Sequence, residues 1–165
     1  LKVGVLSDTH MRTPPPGFSA ALREAFQDVG TVLHCGDCVH GSVLDMLSAQ
    51  GWEVLAVAGN MDPAELHRAL PRTRVAQIGG RRIGMVHGWG APDGIEKRVL
   101  AAFDDVDGVV YGHSHRPQWR RIEGTWLFNP GAACGWGSPL GPTVGVLEIG
   151  ADVEGRIVSV RFAGA

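Results

Sequence analysis

Val3-Gly4-Val5-Leu6-Ser7-Asp8-Thr9-His10 passes from an apolar run directly into a polar one. A short apolar run of this kind predicts a strand buried on both faces, with the groups that follow it at the strand's carboxyl end. The pattern recurs along the chain. Thr31-Val32-Leu33 leads into His34-Cys35-Gly36-Asp37, and Glu53 to Ala58 leads into Gly59-Asn60-Met61-Asp62. Arg81 to Val86 delivers His87-Gly88, and Val109-Val110-Tyr111 delivers Gly112-His113-Ser114-His115. In open α/β sheets ligands bind beyond the carboxyl ends of strands, so these clusters are expected along one rim.

Helical patterns separate the early strands. Pro14, Pro15 and Pro16 forbid helix, after which Ser19 is expected to cap a helix whose Leu22, Ala25, Phe26 and Val29 share a face, with Gly30 as its stop. Val43, Leu44 and Leu47 mark a second helix, Pro63 opens a third that reaches Leu70, and a fourth is expected from Ile95 to Phe103. Arg74 to Ile78 and Arg81 to Val86 flank Gly79-Gly80, a two-residue hairpin signal. Beyond position 104 only strands are expected: Gln118 to Ile122, Thr125 to Phe128, Thr143 to Ile149 and Arg156 to Phe162. Alternating strands and helices followed by strands predict an α/β fold, a four-layer sandwich of two mixed β-sheets flanked by helices, in one domain over residues 1–165.

Composition narrows the function classes. With 165 residues, 44% hydrophobic, 19% charged and a net charge of -2, the chain reads as an ordinary globular protein. That charge offers no footprint for long nucleic acid or an anionic membrane. No apolar run approaches the roughly 20 residues that span a bilayer. The start reads as a strand rather than a leader, and with three cysteines the expected compartment is a reducing cytoplasm. Homo-oligomerisation is left open.

The clusters at the strand ends gather Asp8, His10, Asp37, Asn60, His87, His113 and His115, including four of the seven histidines. This mixed oxygen and nitrogen set is too large for one tetrahedral ion and suits two ions sharing a bridging carboxylate. If the strands continue through them, Asp8 with His10 and His113 with His115 project as pairs, because residues i and i+2 point the same way. Gly36, Gly59, Gly88 and Gly112 are expected to keep metals and substrate uncrowded. Cys35-Gly36-Asp37-Cys38 has redox-pair spacing, but a zinc site needs a second ligand pair and Cys134 stands alone. Cys35 is therefore assigned to the core and Cys38 to a loop near the metals, open to oxidation. His34, His40 and His67 are left outside the site, Trp89 and Trp136 are assigned to packing ahead of stacking on an aryl or nucleobase group, and Arg12, ahead of Arg116, is a candidate phosphate ligand.

The ordered blocks Asp8-Thr9-His10, Gly36-Asp37, Gly59-Asn60, His87-Gly88 and Gly112-His113-Ser114-His115 resemble those of the calcineurin-like metallophosphoesterases. Asn129-Pro130-Gly131 extends the resemblance across the chain, and the Gly-Asn-x-Asp block is most similar to the small YfcE-like phosphodiesterase branch. The resemblance implies one ion on Asp8, His10 and His115 and a second on Asn60, His87 and His113, with Asp37 bridging. Asp37, Asn60 and His87 are then the catalytic set, and Asn60 also meets the substrate. Manganese is the first expectation, with iron, nickel or zinc as alternatives. Two cations about 3.5–4 Å apart can activate a shared water, so a metal-bridging hydroxide is the expected nucleophile on a small phosphodiester. Many family members carry His where Met61 stands. Methionine cannot transfer a proton, which favours diesters with good leaving groups and makes a phosphomonoesterase the lesser reading. Asp62 is expected to hold an imidazole or Asn60 in register, or to cap the helix that Pro63 opens. The family also contains scaffold proteins that have lost ligand histidines. All seven ligand positions are kept here, so a weak or inert metal-binding scaffold is the alternative.

Overall fold

A computed structural model describes residues 1–164. In chain order the elements are β1 (Lys2–Leu6), α1 (Phe18–Ala25), β2 (Val29–His34), α2 (Ser42–Ala49), β3 (Glu53–Ala56), α3 (Ala64–Ala69), β4 (Thr73–Ile78), β5 (Arg81–Val86), α4 (Ile95–Leu100), β6 (Gly108–Val110), β7 (Gln118–Ile122), β8 (Thr125–Asn129), β9 (Thr143–Ile149) and β10 (Val153–Ser159). They form two five-stranded sheets, ordered β10-β9-β1-β2-β3 and β4-β5-β6-β8-β7. Both are mixed: β1, β2 and β3 run parallel, as do β5, β6 and β8, while the remaining strands pair antiparallel at the flanks.

Side-chain alternation explains the layering. Val3 and Val5 on β1 point to the space between the sheets, where they meet Leu33, Ile83, Met85, Val110, Trp126 and Phe128. Leu6 and Val32 point the other way, onto Phe18 and Leu22 of α1 and Val43 and Leu47 of α2. The outer face of the second sheet carries Val86, Val109 and Leu127 against Ile95 and Val99 of α4. The result is the expected four-layer sandwich. Each fully buried Val, Leu or Phe contributes on the order of 1.5–3 kcal/mol, so these three clusters hold the layers together independently of the polar rim. No helix among the described residues is long and apolar enough to cross a membrane.

Several boundaries differ from expectation, each for a local reason. α1 begins after Gly17, whose φ of 85° turns the chain out of the proline segment, and Ser19 lies inside the helix without capping it. The helix ends at Ala25. Asp28, at φ 62°, reverses the chain, and Val29 pairs with Lys2, so Val29 and Gly30 belong to β2. β3 stops at Ala56 and α4 at Leu100, both short of the expected ends. β10 starts three residues early and ends at Ser159: Gly155 is a strand residue packed under Trp119, where a Cβ would come within 2.3 Å of the indole. The Gly79-Gly80 hairpin forms as expected, with φ of 58° and 76°, the two left-handed positions of a type I′ turn.

Candidate metal centre

The carboxyl ends of β1, β2, β3, β5 and β6 meet at one edge of the sandwich, where hydrogen bonds cross between the sheets. His87 Nδ1, after β5, donates to the Cys35 carbonyl after β2 at 2.7 Å. The His113 amide, after β6, donates to Asp8 Oδ2 after β1 at 3.1 Å. Asp8, His10, Asp37, His113 and His115 all have left-handed backbone, with φ between 47° and 67°. The pairs Asp8/His10 and His113/His115 therefore owe their shared direction to left-handed turns beyond the strand ends, which corrects the expectation of a continuing pleat. Such conformations cost on the order of 1–3 kcal/mol each and persist only where the surroundings fix them. Here the Asp8 amide donates to Gly36 O and the His10 amide to Asp37 O, both at 3.0 Å.

Two buried carboxylates form the floor. Asp8 Oδ1 lies 3.1 Å from His115 Nε2, 3.7 Å from His10 Nε2 and 3.9 Å from His87 Nε2. Asp37 Oδ2 lies 3.2 Å from His87 Nε2 and 3.8 Å from His10 Nε2. Asn60 Oδ1 closes the group, 3.1 Å from His87 Nε2 and 3.0 Å from His113 Nδ1. Two glycines make the approach possible. A Cβ on Gly59 would fall 2.2 Å from Asp37 Oδ1, and one on Gly112 would fall 1.8 Å from Ser7 Oγ and 2.6 Å from Asp8 Oδ2. These glycines make room for the protein's own carboxylates, rather than for metal or substrate as the sequence reading held.

The imidazoles test whether this group suits a cation. His87 Nδ1, His113 Nε2 and His115 Nδ1 meet the carbonyls of Cys35, Gly90 and Trp136 at 2.7, 2.9 and 2.6 Å, which assigns a proton to each of those nitrogens. In the neutral ring the other nitrogen is then an acceptor, and all three aim it at carboxylate or amide oxygens. His10 Nε2 is buried with no hydrogen-bond partner. Acceptors facing acceptors are repulsive unless protons or cations lie between them, so the donor set fits divalent ions. Two overlapping triads have ligand atoms mutually within 4.8 Å, Asp8/His10/His115 and Asp8/Asp37/His87.

The electrostatics agree. Burial alone would raise the Asp8 carboxyl, but the His10 ring close by, the hydrogen bond with His115, the nearby His87 and the Ser7 hydroxyl hold it well below the carboxylate range. Burial likewise works to raise Asp37 and is outweighed by His87 and by the Met61 amide, which donates to Asp37 Oδ1 at 2.7 Å. Burial works to lower His87, yet the hydrogen bond with Asp37 and the charges of both carboxylates raise it. His115 is raised chiefly by its hydrogen bond with Asp8.

The sequence profile of the calcineurin-like phosphoesterase superfamily domain matches residues 1–152. The chain belongs to that superfamily. A probable metallophosphoesterase of Methanocaldococcus jannaschii is 30% identical over 162 residues, covering 96% of this chain and 81% of the relative. A phosphodiesterase of the same organism is 28% identical over 161 residues, covering 90% and 93%. Among solved structures, Vps29 from Entamoeba histolytica complexed with zinc superposes with a TM-score of 0.73 at 26% identity, covering 96% of this chain and 98% of that one. Family, relatives and the clustered ligands together support a metal-dependent phosphoesterase.

Measured against this phosphoesterase frame, all seven sequence-predicted ligands come together at one rim, and other expectations change. Asp62 touches neither an imidazole nor Asn60, and Pro63 holds the N-cap position of α3. Its carboxylate accepts the amides of Gly59 and Val39 at 2.7 Å and of Asp37 at 3.2 Å, tying the β2 and β3 loops together. Cys38 is fully buried and burial raises its thiol far above the usual range, so it is no oxidation-prone loop thiol. Beside it lies His34, also fully buried, which burial pushes down to about 4. Its Nδ1 accepts the Gly36 amide and its Nε2 lies 3.2 Å from Thr9 Oγ1. Trp136 is 72% exposed rather than packed, with its indole edge-on to His10 and His115. Trp89 is also exposed, at 48%. Arg116 pairs with Asp93 at 3.0 Å, and the exposed Arg12 guanidinium has no hydrogen bond or ion pair among the described residues.

Proposed function

We propose that this phosphoesterase hydrolyses small phosphodiesters at a two-ion centre, with Asp8, His10 and His115 on one ion, Asn60, His87 and His113 on the other, and Asp37 between them. The observation that carries the reading is the orientation of the imidazoles: three spend an N–H on a backbone carbonyl and turn the opposite nitrogen toward carboxylate or amide oxygen. Bound divalent ions supply an activated water nucleophile and neutralise phosphoryl charge. The donor set suits manganese first, with iron, nickel or zinc selected by availability.

The protein's own groups do the positioning. Asp8 and Asp37 stay ionised because their surroundings favour the charged form. Asn60 is exposed and turns its Oδ1 toward His87 and His113, which leaves its Nδ2 to donate to a phosphoryl oxygen. Met61, 59% exposed, stands next to it and holds no transferable proton. The leaving group therefore departs without an acid from this position, which favours aryl or nucleoside diesters over alkyl monoesters. All three cysteines are free thiols, in keeping with a reducing cytoplasm.

The scaffold reading has one observation in its favour: Trp136, 72% exposed, presents an apolar ring beside His10 and His115 of the kind a protein partner covers. An assay of the chain reconstituted with Mn, Fe, Ni or Zn against bis(p-nitrophenyl) phosphate, cyclic nucleotides and p-nitrophenyl phosphate separates the readings. Turnover of diesters with little on the monoester is expected. A folded, metal-loaded chain that cleaves no ester would establish the scaffold.

A further inference from the structure

A cleft of about 630 Å³ opens directly off the site, with Asn60 and His87 in its wall, and runs away from the Asp8 end. Its volume lies within the roughly 300–1,000 Å³ that small-molecule sites occupy. The lining is largely apolar, including Ala58, Val86 and Ala102, and has two features of a different kind. The first is the exposed indole of Trp89. The loop that bears it is fixed from both sides: Arg98 Nε donates to the Trp89 carbonyl at 2.8 Å, and His113 Nε2 meets the Gly90 carbonyl at 2.9 Å. A large aromatic face held in place beside a reactive centre is a stacking platform. The second is Arg72, the only formally charged residue of the lining, with His67 beside it. No carboxylate among the described residues pairs with Arg72, so its guanidinium is available to an anion.

We infer that this cleft binds one substituent of the diester, and that the substituent is nucleotide-like: a planar aromatic base against Trp89, with a further anionic group, such as a second phosphate, at Arg72. The inference rests on the phosphodiesterase reading for the position of the scissile phosphate, which Asn60 and His87 place at the mouth of the cleft. It deepens that reading by placing the nucleoside substituent in this cleft and naming the residues that select it. The cleft discriminates by these two groups. A substrate with an aryl group but no extra charge uses only Trp89, and an alkyl substituent uses neither.

Calorimetry on the manganese-loaded full chain tests this with adenosine 5′-diphosphate, adenosine 5′-monophosphate and ribose 5-phosphate as probes. All three can present a phosphate to the centre, so differences among them report on the cleft. The monophosphate is expected to bind about tenfold more tightly than ribose 5-phosphate, and Trp89→Ala to erase that difference while leaving ribose 5-phosphate unchanged; Trp89→Phe should restore most of it. The diphosphate is expected to bind more tightly again, about tenfold, and Arg72→Ala to remove that increment alone. Both residues are exposed, so neither variant removes core packing, and unchanged melting temperatures check this. Equal binding of the monophosphate and ribose 5-phosphate, or a base preference that survives in Trp89→Ala, would overturn the assignment. Base-dependent binding in a chain that cleaves no diester would leave the cleft standing and remove the phosphodiesterase reading instead.

Discussion

The floor of the centre and its mouth are built on opposite plans. Asp8, Asp37 and His87 lie at the junction of the two sheets, are at most 3% exposed, and are each held by backbone hydrogen bonds as well as by one another. Met61, Trp89 and Trp136 ring the opening and are exposed, with no side-chain hydrogen bond among the described residues holding any of them, although the loop that bears Trp89 is fixed through its backbone carbonyl. The floor gathers acidic and imidazole groups whose geometry cannot shift without leaving buried polar atoms unpaired. The mouth can change residue at small cost to stability. On the proposed reading, the floor carries the chemistry and the mouth the choice of substrate.

The sharpest way to break this contrast is Asp37→Ala. It removes the group assigned to both ions, and activity is expected to fall by about a thousandfold or more, beyond the loss from a single stabilising donor. The fold should survive, because the core clusters do not include Asp37, with a loss of about 1–3 kcal/mol from the Met61 amide left without its acceptor. A retained rate would remove Asp37 from the centre. Asp62→Ala probes the brace beneath the floor. It leaves the amides of Asp37, Val39 and Gly59 without their acceptor, with a destabilisation of about 3 kcal/mol and a metal affinity about 10- to 100-fold weaker. Denaturant unfolding and metal titration read the two effects separately.

Acidification distinguishes groups that titrate with opposite sign. His34, pushed down to about 4 from about 6.5 in an unfolded chain, stays neutral where the unfolded chain binds a proton. Stability is therefore lost as the pH falls from about 6.5 toward 4, by up to about 3 kcal/mol, and His34→Gln should flatten that part of the profile. His87 and His115 are raised in the metal-free chain, so their stabilising contribution is present below about 6.5 and is lost as the pH rises through their folded values. Metal must displace those protons, and both metal affinity and activity should decline below about pH 6. Full rate and retained metal at pH 5 would contradict this. The smallest effect belongs to the mouth: Trp136→Ala keeps the carbonyl that orients His115, so stability should change by no more than about 0.5 kcal/mol and metal affinity not at all, with any change confined to KM.

The gathering of Asp8, Asp37, Asn60, His87 and His113 was legible because apolar runs give way to polar clusters there, and strand ends are where a sheet exposes side chains to a common rim. The layers were legible too, since continuous apolar runs mark strands buried on both faces and helical spacing in α1 and α2 marks the helices that cover them. The left-handed backbone at Asp8, His10, Asp37, His113 and His115 was not, because no side-chain pattern encodes it, although Asp and His tolerate that region better than most residues. The carbonyls of Cys35, Gly90 and Trp136 were equally hidden: every residue has one, and only the fold shows which three face an imidazole. Asp62 was visible as a carboxylate beside the site, but its partners are amides from two different loops, a pairing that no local spacing expresses.

Anomalous diffraction from crystals of the manganese-loaded chain bears most directly on the central claim. Two peaks are expected, one bounded by Asp8, His10 and His115 and one by Asn60, His87 and His113, with Asp37 reaching both. A single peak, peaks elsewhere on the surface, or none at saturating metal would contradict a two-ion centre at this rim.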